Sequence, residues 1–145
     1  MKINGNLIQI ELLFTVVLSA ATTGAQPVTK ISAGWSHSLF VKGNGSLWAM
    51  GDGFYNNKLP EEIVASNVTA IAAGDSFSLF LKSDGSLWAM GDNGYGCLGD
   101  GTENNQLVPE QVVGGCVTAI AAGVNHSLFL KSDGSLWAMG YNWYG

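Results

Sequence analysis

Apolar and polar positions along this chain follow a fixed order that returns. Residues 78–91 read SLFLKSDGSLWAMG, two short apolar runs parted by Lys-Ser-Asp-Gly-Ser. The same letters recur at 127–140, and with three changes (Val41, Gly43 and Asn44) at 38–51. Short apolar runs flanking Asp-Gly or Asn-Gly predict a β-hairpin with a two-residue turn, in which both turn residues take positive φ. With Ser83 paired to Ser86, Leu81 falls opposite Trp88, Phe80 opposite Ala89 and Leu79 opposite Met90. Leu79, Leu81, Trp88 and Met90 then share one face, and Phe80, Leu87, Ala89 and Lys82 the other. Both faces are mainly apolar, so the hairpin must be covered on both sides. Further copies of itself, stacked around an axis as the blades of a β-propeller, supply that cover.

The rest of each repeat fits this plan. A small-residue strand opens each one, at 28–34, 68–74 and 117–123, the last two both reading VTAIAAG. Small side chains suit the innermost strand, where blades crowd the axis. The hairpin supplies the second and third strands. The segments after proline, 61–64 and 110–113, are expected as the short, charged outer edge. Trp48 to Trp88 is 40 residues and Trp88 to Trp137 is 49, while Pro60 to Val68 and Pro109 to Val117 are both 8. The nine extra residues therefore lie between the SLWAMG strand and the proline, in a surface loop.

VTAIAAG, the following His-Ser, LFLKSDGSLWAMG, Gly-Tyr-Gly with Leu-Gly-Asp-Gly-Thr and a late proline together resemble the regulator of chromosome condensation repeat, in the form common in bacterial exported proteins. The resemblance runs through 28–145. It implies a seven-bladed propeller with four strands per blade. That fold class includes a nucleotide exchange factor for a nuclear GTPase and a secreted inhibitor of β-lactamases, so the resemblance leaves function open. The expected organisation is a leader at 1–25, then repeats at 28–67, 68–116 and 117–145, the third incomplete. The expected fold class is therefore all-β: a partial propeller of about two and a half to three blades of four antiparallel strands, in an incomplete ring. Its end blades would expose apolar faces around Trp48 and around Phe129. Two explanations stay open: a piece of a longer propeller, favoured because the stop falls inside a repeat, or self-association that completes the ring.

Composition narrows the partner. There are 11 acidic residues, 6 lysines and no arginine, for a net charge of -5. Nucleic-acid binding draws on clustered Lys and Arg, so no nucleic-acid partner is expected. Lys2, the uncharged apolar run at 12–21 and the small residues Thr23 and Ala25 have the layout of a secretory signal peptide cleaved after Ala25. That run is shorter than the ~20 residues of a bilayer span. The chain is expected to be secreted, periplasmic or at the cell surface, with no membrane span after cleavage.

Candidate chemistry is sparse. His37 and His126 share a repeat position that holds Phe77 in the middle repeat, which fits a structural imidazole better than a base or ligand. Asp52, Asp92 and Asp100 sit among Gly and Asn without calcium-loop spacing, so turn chemistry accounts for them. Cys97 and Cys116 lack the Cys-x-x-Cys spacing of zinc sites. They are a candidate disulfide that would close the long loop onto the outer strand. No nucleophile elbow, phosphate loop or catalytic carboxylate pair is present, so no enzyme, cofactor or metal is expected. In an up-and-down blade, the first-to-second and third-to-fourth links emerge at one rim. That rim gathers Trp35, Asp75 and Asn125 with Phe54, Tyr55, Tyr95, Tyr141, Trp143 and Tyr144, a composition suited to a protein-binding surface. Packing of Tyr95 and Tyr144 between blades is the alternative role for those two rings. The expected function is a non-catalytic protein-interaction scaffold. The alternatives are regulation by enzyme inhibition or guanine-nucleotide exchange, and carbohydrate or cell-wall binding.

Overall fold

A computed structural model describes residues 26–51 and 57–143. The expected signal segment, 1–25, lies outside them. Eleven strands occur among the described residues: β1 (Val28–Ala33), β2 (His37–Lys42), β3 (Leu47–Gly51), β4 (Asn57–Val64), β5 (Val68–Ala73), β6 (Phe77–Lys82), β7 (Leu87–Gly91), β8 (Gln106–Val113), β9 (Val117–Ala122), β10 (His126–Lys131) and β11 (Leu136–Gly140). They form three antiparallel sheets in chain order, β1–β4, β5–β8 and β9–β11. These are blades one, two and three of a partial propeller. Blade-to-blade contact runs from β5 to β1 and β2, and from β9 to β5 and β6. The small-residue strands are thus the inner ones, and Ala73 N donates to Ser32 Oγ across the first junction at 3.0 Å.

The hairpin register differs by one residue from the expected one. Leu81 pairs with Leu87, Phe80 with Trp88, Leu79 with Ala89 and Ser78 with Met90. The cause is the turn. Gly85 N donates to Lys82 O and Lys82 N to Ser86 O, which makes a three-residue loop with a bulge. Only Gly85 takes positive φ, 76°. Asp84 keeps negative φ because its Oδ1 accepts from both Ser86 N, at 2.9 Å, and Ser86 Oγ, at 2.6 Å. Those bonds, the side chain's first, hold the Asp84 carboxyl below the ordinary carboxylate range. Ser86 Oγ in turn accepts from Trp88 Nε1 at 2.9 Å, and Lys82 Nζ lies 3.9 Å from the Trp88 ring centre. The chain Asp-Ser-Trp-Lys recurs at Asn44, Ser46, Trp48 and Lys42, and at Asp133, Ser135, Trp137 and Lys131. It explains why these four residue types keep their spacing.

The register shift re-sorts the faces but leaves both apolar. Leu79, Leu81, Leu87 and Ala89 form an aliphatic face; Phe80, Trp88 and Met90 form an aromatic one, with Phe80 and Trp88 stacked at 6.1 Å. The aromatic face of blade two packs on Leu39, Val41, Leu47 and Ala49 of blade one. Its aliphatic face takes Phe129, Ile120 and Met139 of blade three. Phe80, Leu79 and Leu87 are completely buried. The open ends follow from the same order. Blade one leaves its aromatic face half-buried, with Ile31 exposed. At the other end Leu130, Leu136 and Trp137, neighbours of Phe129, are exposed as an open end face requires, but Phe129 itself is buried against blade two, which corrects its place in that face.

The outer strands are longer than expected. β4 and β8 begin before Pro60 and Pro109. Each carries its proline at an irregularity, between the Ala49 and Gly51 pairings or the Ala89 and Gly91 pairings, where a missing N–H breaks no ladder bond. Leu59, Leu107 and Val108 on these strands are exposed, so the outer edge is less polar than expected.

Candidate functional site

The rim is built on main-chain bonds. Trp35 N donates to Asp75 O and Asp75 N to Val124 O, both at 3.3 Å, which links the first-to-second-strand connections of all three blades. Asp92 N donates to Ser76 O and Tyr141 N to Asn125 O, both at 2.9 Å, which ties the outer connections to the same edge. Both kinds of loop therefore meet on one rim, as the up-and-down topology requires. At each inner connection a ring lies over a glycine: Phe77 over Gly74, His37 over Gly34 and His126 over Gly123 leave no room for a Cβ.

The long loop of blade two, 92–105, is held by Asn93, which is wholly buried. Its Nδ2 donates to Asp100 Oδ1 at 2.9 Å and Thr102 O at 3.0 Å, its Oδ1 accepts from Leu98 N, and its N–H donates to Asn105 Oδ1. Desolvation pushes the Asp100 carboxyl up. Donors from Thr102, Gln106 and Asn93 outweigh it and hold the group below its ordinary range. Asp92 Oδ1 accepts from Gly94 N at 2.8 Å. Both aspartates are thus committed to turn bonds, and Asp52 lies outside the described residues. Among the described residues no cluster of three His, Cys, Asp or Glu side chains could hold a metal ion.

So braced, the loop sends Cys97 and Leu98 between blades two and three, where Cys97 O accepts from Ser127 Oγ at 2.6 Å. Burial pushes the Cys97 thiol up to about 11. Cys116 is exposed on the approach to β9, and both thiols are free. The loop also presents Tyr95 to blade three. Tyr95 meets Tyr141 edge-on at 5.0 Å, and Tyr141 stacks with Trp143 at 6.4 Å and 7°. All three stay open to solvent, Trp143 most of all at 75%.

Of the residues expected at the rim, the structure brings Tyr95, Tyr141 and Trp143 into one cluster. It places Trp35, 85% exposed, with Asp75 and Asn125 along the same bonded edge. Phe54, Tyr55 and Tyr144 lie outside the described residues. Tyr95 reaches across a blade junction and remains half-exposed, combining contact with display. Val124, exposed at the repeat position of Trp35 and Asp75, was overlooked, although counting in register from Trp35 finds it. His37 is buried and its Nε2 lies 3.0 Å from Ser78 Oγ across the first blade junction. Burial lowers its pKa, partly opposed by Asp75. His126 is exposed.

Comparison with known proteins agrees with this geometry. Profiles of the Regulator of chromosome condensation (RCC1) repeat match residues 28–57, 68–97 and 117–145, and a second profile of that name matches 84–130. No curated protein matches the chain. Among solved structures, human WBSCR16 is similar with TM-score 0.73 and 23% identity, over 83% of this chain and 35% of that one. Prp20p from Saccharomyces cerevisiae is similar with TM-score 0.70 and 25% identity, over 82% and 32%. The plant receptor-kinase ectodomain of ACR4 from Arabidopsis thaliana shares the fold at TM-score 0.56 and 18% identity, over 83% and 40%. The chain spans about a third of the length of the first two. With all three repeats matched in register, the chain belongs to the regulator of chromosome condensation repeat family.

Proposed function

We propose that this chain is an exported, non-catalytic scaffold that binds a protein partner through its loop rim. The observation that carries the reading is the Tyr95–Tyr141–Trp143 cluster, three open rings, the first on the loop that Asn93 anchors and the other two just after β11 of blade three. Rigid aromatics lose little conformational freedom on binding, and such side chains dominate the energetic centres of interfaces. The neighbours support a protein partner: Prp20p from Saccharomyces cerevisiae has binding properties to Gsp1p and histones, and yeast RCC1 (Prp20) was solved bound to Kap60. Acidic balance without arginine weighs against nucleic acid. Among the described residues no helix is long and apolar enough to cross a membrane. Export rests on the 1–25 segment, and N-terminal sequencing of the protein from its host checks cleavage after Ala25. Capture from culture medium tests the rim. A stoichiometric partner retained by the wild type and lost with Tyr141→Ala/Trp143→Ala supports the proposal; equal retention refutes it. Enzyme inhibition or nucleotide exchange would be the particular form such binding takes. Carbohydrate binding is a second reading, favoured by the near-parallel Tyr141 and Trp143 rings, and a silent glycan array removes it.

A further inference from the structure

The hairpin-turn end and the rim end of the blades use the same side-chain chemistry with one difference. At the turn end each hairpin brings an indole, a lysine and an Asp or Asn together. Lys82 Nζ lies 3.9 Å from the centre of the Trp88 ring with Asp84 in the same turn, and Lys42 with Trp48 and Lys131 with Trp137 repeat the contact at 3.4 and 4.5 Å. An ammonium over an indole face is attracted by the ring quadrupole, and a nearby carboxylate adds to the pull. The chain's own lysines supply the cation there.

At the rim the rings and carboxylates recur and the lysines do not. Residues 34–36, 74–76, 92–105 and 123–125, which form rim loops on all three blades, contain no lysine or arginine. Lys30 pairs with Val41, beside Lys42, so it too belongs to the turn end. Among the lysines of the described strands, Lys58 alone, next to the Asn57–Gly51 pair, has its place at the rim end. Open rings stand beside acids in the rim loops. Trp35, 85% exposed, donates its N–H to Asp75 O, and Tyr95 follows the turn in which Asp92 Oδ1 accepts from Gly94 N. Asp100 and the exposed Glu103 share the loop of Tyr95, so blade two puts four acids and no lysine or arginine at this end: Asp75, Asp92, Asp100 and Glu103. Blade two is complete and flanked by blades one and three, so the imbalance belongs to the repeat itself.

We infer that the rim takes a lysine- or arginine-rich segment of the partner protein, whose cations occupy the Trp35–Asp75 and Tyr95–Asp92 positions as Lys82 occupies the Trp88–Asp84 one. The inference rests on the rim reading above and names the chemistry of the partner. Like charges around open aromatic surface steer a cationic segment in and disfavour an acidic one. Each cation seated on an exposed ring adds about two- to fivefold in affinity.

Fluorescence anisotropy with the full chain and a labelled peptide of alternating Lys and Ser, against a counterpart of alternating Glu and Ser, tests it. The lysine peptide is expected to bind and the glutamate peptide not to. Asp75→Asn with Glu103→Gln is expected to weaken the lysine peptide about fivefold, whereas Glu62→Gln with Glu110→Gln, which removes the same charge from the outer strands, changes it less than about twofold. Trp35→Leu keeps apolar bulk without the ring and is expected to cost about threefold. Glu103 is exposed, so Glu103→Gln alone carries the charge test should Asp75→Asn alter the far-ultraviolet circular dichroism. A lysine peptide that does not bind, equal losses from the two charge pairs, or no loss in Trp35→Leu overturns the proposal. Its failure is separable from that of the rim reading: a partner captured from culture medium through Tyr141 and Trp143 but retained in full by Asp75→Asn/Glu103→Gln overturns this inference and leaves the rim reading standing.

Discussion

Leu47, Leu87 and Leu136 hold one position in three copies of Leu-Trp-Ala-Met-Gly, yet the first two are wholly buried and the third is 67% exposed. Truncating each to alanine therefore measures blade coverage with the chemistry held constant. The change removes three carbons, worth about 2.4 kcal/mol in transfer free energy at full burial. In a closed core an unfilled cavity adds to this, so Leu47→Ala and Leu87→Ala are expected to cost about 3–5 kcal/mol each. At Leu136 roughly a third of that surface is shielded and solvent fills the gap, leaving about 0.8 kcal/mol. Equilibrium urea unfolding followed by tryptophan fluorescence, at a dilution where the chain is monomeric, gives the three values from the midpoint at constant slope. A Leu136→Ala cost equal to that of Leu87→Ala would refute the reasoning, because identical hairpins would then be equally covered.

Three further outcomes follow from the site. Asn93→Ala strips buried partners from Leu98 N and Asp100, and is expected to destabilise by about 2–4 kcal/mol in chemical denaturation; a cost under 1 kcal/mol would mean the loop is not anchored there. His37 has a folded pKa below its ordinary 6.5, so the fold favours the neutral ring. Its contribution is intact above pH 6.5 and lost as pH falls through 6.5 toward the lowered value. Melting temperature should drop over that window in the wild type and drop less in His37→Phe, which copies Phe77 of the middle repeat. Gly74→Ala drives a methyl into the Phe77 ring, costing about 1–3 kcal/mol by overpacking. In a Phe77→Ala background that cost should largely vanish, a coupling that a double-mutant cycle reads directly.

Much of the architecture was legible because repetition and composition point the same way. Leu79 to Leu81 and Leu87 to Met90 are apolar on both faces under either register, so the need for cover on two sides survived a turn assigned one residue short. The register was missed because Asp84 was read as a backbone turn former, when its side chain binds Ser86 and lengthens the loop. Unequal exposure of the hairpins at 78–91 and 127–140 cannot be read from letters that are the same; only the order of stacking decides it. The rim composition was legible from topology. The meeting of Tyr95 and Tyr141 was not, since it depends on how a long loop crosses a blade junction. Asn93 drew no reading from the sequence, although its recurrence as Asn142 was the signal that the position matters.

That pair of identical hairpins also supplies the most direct test of the central claim, that a blade is as stable as its faces are covered. Residue-resolved amide hydrogen exchange by NMR compares β6–β7 with β10–β11, where equal sequence makes the intrinsic rates equal. In the structure β7 pairs on both edges and both faces of its blade are covered, whereas β11 pairs on one edge and Leu136 is bare. The account predicts protection at Leu81, Leu87 and Ala89 exceeding that at Leu130, Leu136 and Ala138 by at least about tenfold, on the order of 1.4 kcal/mol of opening free energy. Equal protection in the two hairpins would contradict it.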